Sequence, residues 1–397
     1  MAVLIRGGEV FSPDPLGIKD ILIAGSKILA VADPGEIRIQ GFPFTVMDAA
    51  GLIVCPGFID SHVHITGGGG EGGPATRAPE ISLEDIVSSG VTTVVGCLGT
   101  DGVTRHMESL LAKAFGLEKE GVSTYIFTGS YEIPVQTLTG SVRSDLVLID
   151  KVIGAGEIAV SDHRSSQPDF HEFARLAAEC RVGGMIGGKA GILHCHMGDG
   201  GRRLDLIFRL LQETEIPAAQ IVPTHANRNP ELMEEAIAFI HQGGTIDLTA
   251  DLDPDPSGSR QLSVASAIER CLEKNAGLEH ITVSSDGNGS LPVFNQKGEL
   301  TGLTVASEKS LLANFRFLVK NKITSLPQAL KFFSSNPARC YKLHGKGRIN
   351  EGMDGDVIML DKDLQLRHVL AGGRVMVEKG SVKAKGTFST SKKDAPS

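Results

Sequence analysis

The sequence predicts an α/β fold. A (β/α)8 TIM-like barrel over residues 57–342 carries a small discontinuous β domain formed by both chain ends, residues 1–56 and 343–397. Three observations predict it. Short apolar runs separated by Gly, Pro and Asp turns fill both ends of the chain. Between them, eight such runs alternate with longer stretches of helical periodicity, the pattern of a parallel sheet with crossover helices. Residues able to bind a metal recur near the ends of those runs, on the rim where barrels of this kind do their chemistry.

Taken in order, residues 2–5, 20–24 and 28–32 read as short strands, and this β-rich piece ends near Val54-Cys55-Pro56-Gly57. The barrel strands are GFIDSHVHI from Gly57, VTTVVGCL from Val91, STYIFTGS from Ser123, EIAVSDHR from Glu157, ILHCHMG from Ile192, IVPTHAN from Ile221, TIDLTA from Thr245 and ITVSSDG from Ile281. Helical stretches lie between them, among them SLEDIVSSG, MESLLAKAFGLEKEG, DFHEFARLAAECRVG and ELMEEAIAFIHQGG. Several stop at glycine, a common helix end. An open doubly wound sheet is the rival architecture. It would more often place Gly-x-Gly-x-x-Gly after its first strand. The run Gly67-Gly68-Gly69-Gly70-Glu71-Gly72-Gly73 lacks the Lys-Ser/Thr of a phosphate loop, and Glu71 would repel phosphate. Past residue 343, DVIMLD, LRHVLAGGRVMVE and SVKAKG read as strands that pair with the N-terminal ones, and the last dozen residues as a frayed tail.

A net charge of −8 argues against nucleic acid or an anionic membrane as partner, because both call for a basic face. The six cysteines are scattered without a Cys-x-x-Cys pair, which reads as reduced, mostly buried thiols in a cytoplasmic protein. Arg6 and Glu9 interrupt the apolar start, so no signal-peptide core is expected. No apolar run is long enough to span a bilayer.

The chemistry gathers at the ends of the barrel strands. His62 and His64 lie two apart, so their side chains share one face of a strand. Glu157, His196, His225 and Asp286 follow on strands four, five, six and eight. One ion with an open position needs about three protein ligands. Six candidates suit two divalent ions, with a carboxylate between them and roughly 3.5–4 Å separating the metals. His194 shares a face with His196, and either could be a ligand. His196 is nearer the strand end and is preferred, which leaves His194 behind it. His163, His171 and His241 read as solvated.

The blocks GFIDSHVHITGGGGEGGPATRAPE, VVGCLGTDGVTRH, TGSY, SDHRS, HMGD, PTHANRN and SSDGNGS resemble the amidohydrolase superfamily and, within it, the isoaspartyl dipeptidases. The resemblance covers nearly the whole chain. His-x-His alone would indicate only the superfamily, whereas GGGGEGGP, SDHRS and NRN narrow it. It implies a homo-oligomeric zinc enzyme that cleaves β-aspartyl dipeptides. By position, it implies metal ligation by His62, His64, His196, His225 and Asp286. Asp286 would also shuttle the proton, and Tyr131 would donate to the oxyanion. Glu71 would take the substrate ammonium, Arg164 and Arg228 its carboxylates, and Thr100 and Ser290 would touch it.

One position departs from the family. Its bridging ligand is a carbamylated lysine, and the matching residue, six before His163, is Glu157. Glu157 is expected to bridge the metals directly, without carbon dioxide. Two other functions compete: a cyclic-amide hydrolase of the dihydroorotase or hydantoinase kind, and a scaffold that has lost catalysis. Glu71 argues against the first, since a cyclic amide has no free ammonium. The retained carboxylate argues against the second. A serine hydrolase is disfavoured because no Gly-x-Ser-x-Gly elbow is present.

Overall fold

The computed structural model describes residues 2–255, 260–294 and 300–387. Its centre is a barrel of eight parallel strands: β1 (Phe58–Val63), β2 (Val91–Gly96), β3 (Ser123–Thr128), β4 (Val152–Val160), β5 (Ile192–Met197), β6 (Ile221–Thr224), β7 (Ile246–Thr249) and β8 (Ile281–Ser284). The first six form one sheet in chain order, and β7 pairs with β8. The Ala226 N–H donates to Asp247 O at 3.1 Å and joins the two sheets on one side. On the other, the His64 N–H donates to Gly287 O at 2.8 Å, beside a parallel bridge from Val63 to Gly287. The ring is thereby closed.

Every residue of β1, β2, β4, β5 and β6 is buried. These strands have no solvent face, as expected of a parallel sheet with barrel core on one side and helices on the other. The helices are α1 (Leu83–Val87), α2 (Met107–Glu120), α3 (Val142–Leu148), α4 (Phe170–Gly187), α5 (Asp205–Glu213), α6 (Pro230–His241), α7 (Val264–Glu273), α8 (Lys309–Lys320), α9 (Leu326–Phe333) and α10 (Ser335–Cys340). Their starts are encoded locally. Asp169 and Glu172 form a reciprocal capping box at α4, while Asn229 caps α6 ahead of Pro230. Gly188 ends α4 in the left-handed conformation.

Both chain ends build a nine-stranded sheet. Its seam is the antiparallel pairing of Ile53–Pro56 with Val357–Leu360. Lys346 ties this sheet to the barrel. Its Nζ lies 2.5 Å from Asp356, 2.8 Å from Asp354 and 2.6 Å from Ser123 Oγ at the start of β3.

Several elements differ in extent from the sequence reading. The first two strands are ten residues each, Ala2–Phe11 and Pro15–Ala24, because antiparallel pairing carries them through polar residues. LRHVLAGGRVMVE is a hairpin that turns at Gly372-Gly373. β4 begins at Val152 and not at Glu157, so Glu157 sits inside the strand. After β8, Ser290–Phe294 and Leu300–Val305 form an unexpected antiparallel pair. The predicted frayed tail lies, but for its first two residues, outside the described residues.

Candidate metal centre

β1 and the residue after it bring His62 and His64 to the C-terminal mouth of the barrel, both buried. Glu157 reaches them through a local distortion of β4. Leu193 pairs with Ala155, and then Cys195 pairs with Ile158. β4 therefore carries one extra residue at this point, a β-bulge. Gly156 occupies it with φ 153°, and a Cβ there would lie 2.7 Å from His194 O and 2.8 Å from His194 Cβ. Only glycine fits, and the Glu157 carboxylate beside it faces four imidazoles.

Those contacts define the centre. Glu157 Oε2 lies 3.0 Å from His196 Nδ1, 3.4 Å from His62 Nε2 and 3.5 Å from His225 Nε2. Glu157 Oε1 lies 3.5 Å from His64 Nε2. Asp286 Oδ1 is 3.1 Å from His64 Nε2 and 3.5 Å from His62 Nε2. His225 is the first residue after β6 and Asp286 the second after β8, with φ of 59° and 54°. Such left-handed backbone costs about 1–3 kcal/mol per residue and turns both side chains at the rim.

The rings are held from behind. His194 Nε2 is 2.8 Å from His62 Nδ1, and Thr249 Oγ1 is 2.6 Å from His225 Nδ1. Each partner orients its ring and leaves the Nε2 edge toward Glu157. His196 is gripped by Asp162 Oδ2 at 3.0 Å from Nε2, with Tyr131 OH 2.9 Å from Nδ1. Beneath the centre, Asp247 accepts from Thr224, Thr282 and Ser284 at 2.8, 2.7 and 2.5 Å.

The charges point to a cation. Among the described residues, Glu157 and Asp286 are paired only with histidines, not with Lys or Arg. Burial opposes ionisation of Glu157, yet His62 and His196 outweigh it and hold its carboxyl well below the usual range. Asp286 is likewise held low, burial being overcome by His64 and His225. Burial disfavours charge on His62, but Cys97 and the two carboxylates raise its pKa to about 10. His62 Nε2 is fully buried without a hydrogen-bond partner. Three groups of side chains bring their ligand atoms within 4.8 Å of one another: His62, His64, Cys97 and Glu157; His62, His225 and Asp286; and Glu157, His196 and His225. His62, Glu157 and His225 each belong to two of them, so the donors fit a pair of adjacent divalent ions.

Beside this centre, Glu71 accepts from Thr100 Oγ1 at 2.9 Å and Ser290 Oγ at 3.2 Å, and pairs with Arg164 at 3.4 Å. Asp162 takes the other edge of the Arg164 guanidinium, with bonds of 3.0 and 2.8 Å, and its plane lies 5.3 Å over Tyr131. Glu71 and Thr100 also line a pocket of about 330 Å³ with Arg77 and Asp101. Arg228 follows His225 in a turn, its N–H donating to His225 O at 2.9 Å, and its Nε is buried without a partner. Tyr131 is pushed up, chiefly by burial and then by Glu157, so its hydroxyl stays protonated.

The structure thus brings the six ligand candidates together, with Tyr131 against His196 and with Glu71, Thr100, Ser290 and Arg164 in one adjoining network. Arg228 makes no side-chain bond to that network among the described residues, but its charge acts on Tyr131 and His225. Sequence reasoning missed two participants. Cys97 follows β2 on the same rim, 3.9 Å from His64 Nδ1. Its position at a strand end was the available signal. Asp162, in the SDHRS block, orients both His196 and Arg164.

The amidohydrolase family profile matches residues 53–392. Superposition on a beta-aspartyl dipeptidase from the thermophilic, keratin-degrading Fervidobacterium islandicum AW-1, solved in complex with the dipeptide beta-Asp-Leu, gives a TM-score of 0.89. The two are 44% identical over 98% of this chain and 100% of that one. An adenine deaminase from Halalkalibacterium halodurans is 25% identical over 396 residues, and a dihydroorotase from Streptococcus pyogenes is 30% identical over 164. The match spans 58% of the length of that deaminase and 35% of that dihydroorotase.

Proposed function

The chain belongs to the amidohydrolase family, and from that premise we propose that it hydrolyses β-aspartyl dipeptides at a two-metal centre bridged by Glu157. The observation that carries this reading is the pairing of Glu71 with Arg164 next to the six ligands. One carboxylate and one guanidinium side by side suit a substrate with a free ammonium and a free carboxylate flanking the scissile amide. The identity to the Fervidobacterium enzyme over the full chain supports the same substrate class.

His62, His64, His196, His225, Glu157 and Asp286 would hold the ions, with zinc the natural choice for this nitrogen and oxygen set. When bound, a pair of divalent cations supplies an acidified water as nucleophile and an electrophile for the amide oxygen. Asp286, held ionised in its surroundings, accepts the water's proton and passes it to the departing amine. Tyr131, kept protonated by burial, donates to the oxygen that gains charge. Glu71 accepts from the α-ammonium, so binding breaks its contact with Arg164 and frees that guanidinium for a substrate carboxylate. Asp162 keeps the guanidinium plane in place during the exchange. The Arg228 guanidinium takes the other carboxylate. Water adds across the amide, and aspartate and the second amino acid leave. Thr100 and Ser290 position Glu71. Assembly as a homo-oligomer belongs to the same reading.

A ring-amide hydrolase is the alternative, favoured by the match to dihydroorotase over 40% of the chain. Zinc-loaded protein assayed on β-Asp-Leu, α-Asp-Leu, dihydroorotate and hydantoin separates the two. Preference for β-Asp-Leu supports the proposal; turnover of a ring with none of the dipeptide overturns it.

A further inference from the structure

We propose that Cys97 is a seventh ligand of the centre, its thiolate binding the ion held by His62 and His64. The placement rests on the two-metal reading and goes beyond it. Cys97 is fully buried at the residue after β2. Its sulfur and the ligand atoms of His62, His64 and Glu157 all lie within 4.8 Å of one another. Donors around a tetrahedral ion at about 2.0–2.3 Å stand about 3.3–3.8 Å apart, so a small contraction converts this group into a coordination shell. His62, whose buried Nε2 makes no hydrogen bond, belongs to the same group. Among the described residues, no other cysteine joins such a cluster.

Charge gives an independent argument. Two divalent ions bring four positive charges into a buried site. Glu157 and Asp286 return two negative charges and a hydroxide a third. A thiolate supplies the fourth, and a buried charged cluster is stable only when compensated. On binding, the Cys97 S–H proton leaves to solvent and the sulfur lone pair forms the bond to the ion. A soft donor also tilts the site toward zinc or cobalt and away from magnesium or manganese.

The competing role for Cys97 is to steady His64 Nδ1 at 3.9 Å without touching an ion. X-ray absorption at the zinc edge of the full-length, zinc-loaded protein decides between them. A zinc–sulfur path at about 2.3 Å is expected in the wild type, lost in Cys97→Ser and retained in Cys195→Ser. The cobalt-loaded wild type should show a sulfur-to-cobalt charge-transfer band in the near ultraviolet. Either wild-type readout stands even if Cys97→Ser does not fold. Zinc bound with only nitrogen and oxygen neighbours overturns the role of Cys97 and leaves the two-metal reading intact. Protein that takes up no metal overturns both.

Discussion

Replacing Glu157 with Gln keeps the shape of the side chain and removes its charge. The lost carboxylate lies 3.0 Å from His196 and 3.4–3.5 Å from His62, His64 and His225. It therefore stands between the donors of both ions. One unit of charge at about 4 Å and an effective dielectric of about 20 is about 4 kcal/mol, or roughly 1,000-fold in affinity. Remaining ligands offset part of this, so the Glu157→Gln variant should retain its second ion roughly 100- to 1,000-fold more weakly. The assay is metal content after dialysis, with β-Asp-Leu hydrolysis measured across a zinc titration. Activity should collapse at low zinc and recover in part at high zinc, which a misfolded protein would not do. Two ions retained per chain, with kcat within about tenfold of wild type, would refute the reasoning.

Four further outcomes are expected. The wild type, reconstituted with zinc, should be equally active with and without bicarbonate; a strong requirement would count against a glutamate bridge. Asp286→Asn should lower kcat by roughly 100- to 10,000-fold, seen in steady-state kinetics at saturating zinc. Tyr131→Phe should cost roughly 100- to 1,000-fold in kcat with little change in KM, as the loss of a donor felt mainly in the transition state. Burial, followed by repulsion from Asp60, raises the Glu308 carboxyl from 4.5 to about 8. The folded state then binds a proton that the unfolded chain has released, so stability from this group is present at low pH and lost as pH rises toward 8. Thermal unfolding of metal-free wild type and Glu308→Gln should diverge in that window, with the glutamine variant gaining; a constant difference would sink the assignment.

Much of the barrel was legible because its strands carry both periodicity and chemistry. His62 and His64 announce themselves by spacing, and ELMEEAIAFIHQGG by its helical periodicity. The sequence places the start of β4 at Glu157, whereas the strand runs from Val152 through Gly154 and Gly156. Pairing with β3 and β5 holds this stretch in the sheet, and Gly156 is there to make the bulge. The centre was legible as a set of strand-end ligands, but not its supporting contacts. Neither the Asp162 grip on His196 nor the approach of Cys97 to His64 has a sequence spacing of its own. Each depends on how neighbouring strands are staggered around the ring. His194 shows the same limit: alternation placed it beside His196, and only the structure sets it against His62 Nδ1.

The central claim is that a glutamate joins two ions. Anomalous diffraction from crystals of the zinc-loaded protein, soaked with a β-Asp-Leu analogue, tests it most directly. The account predicts two zinc peaks roughly 3.5–4 Å apart with one Glu157 oxygen on each. A single peak, or two with Glu157 turned away and another group between them, would contradict it.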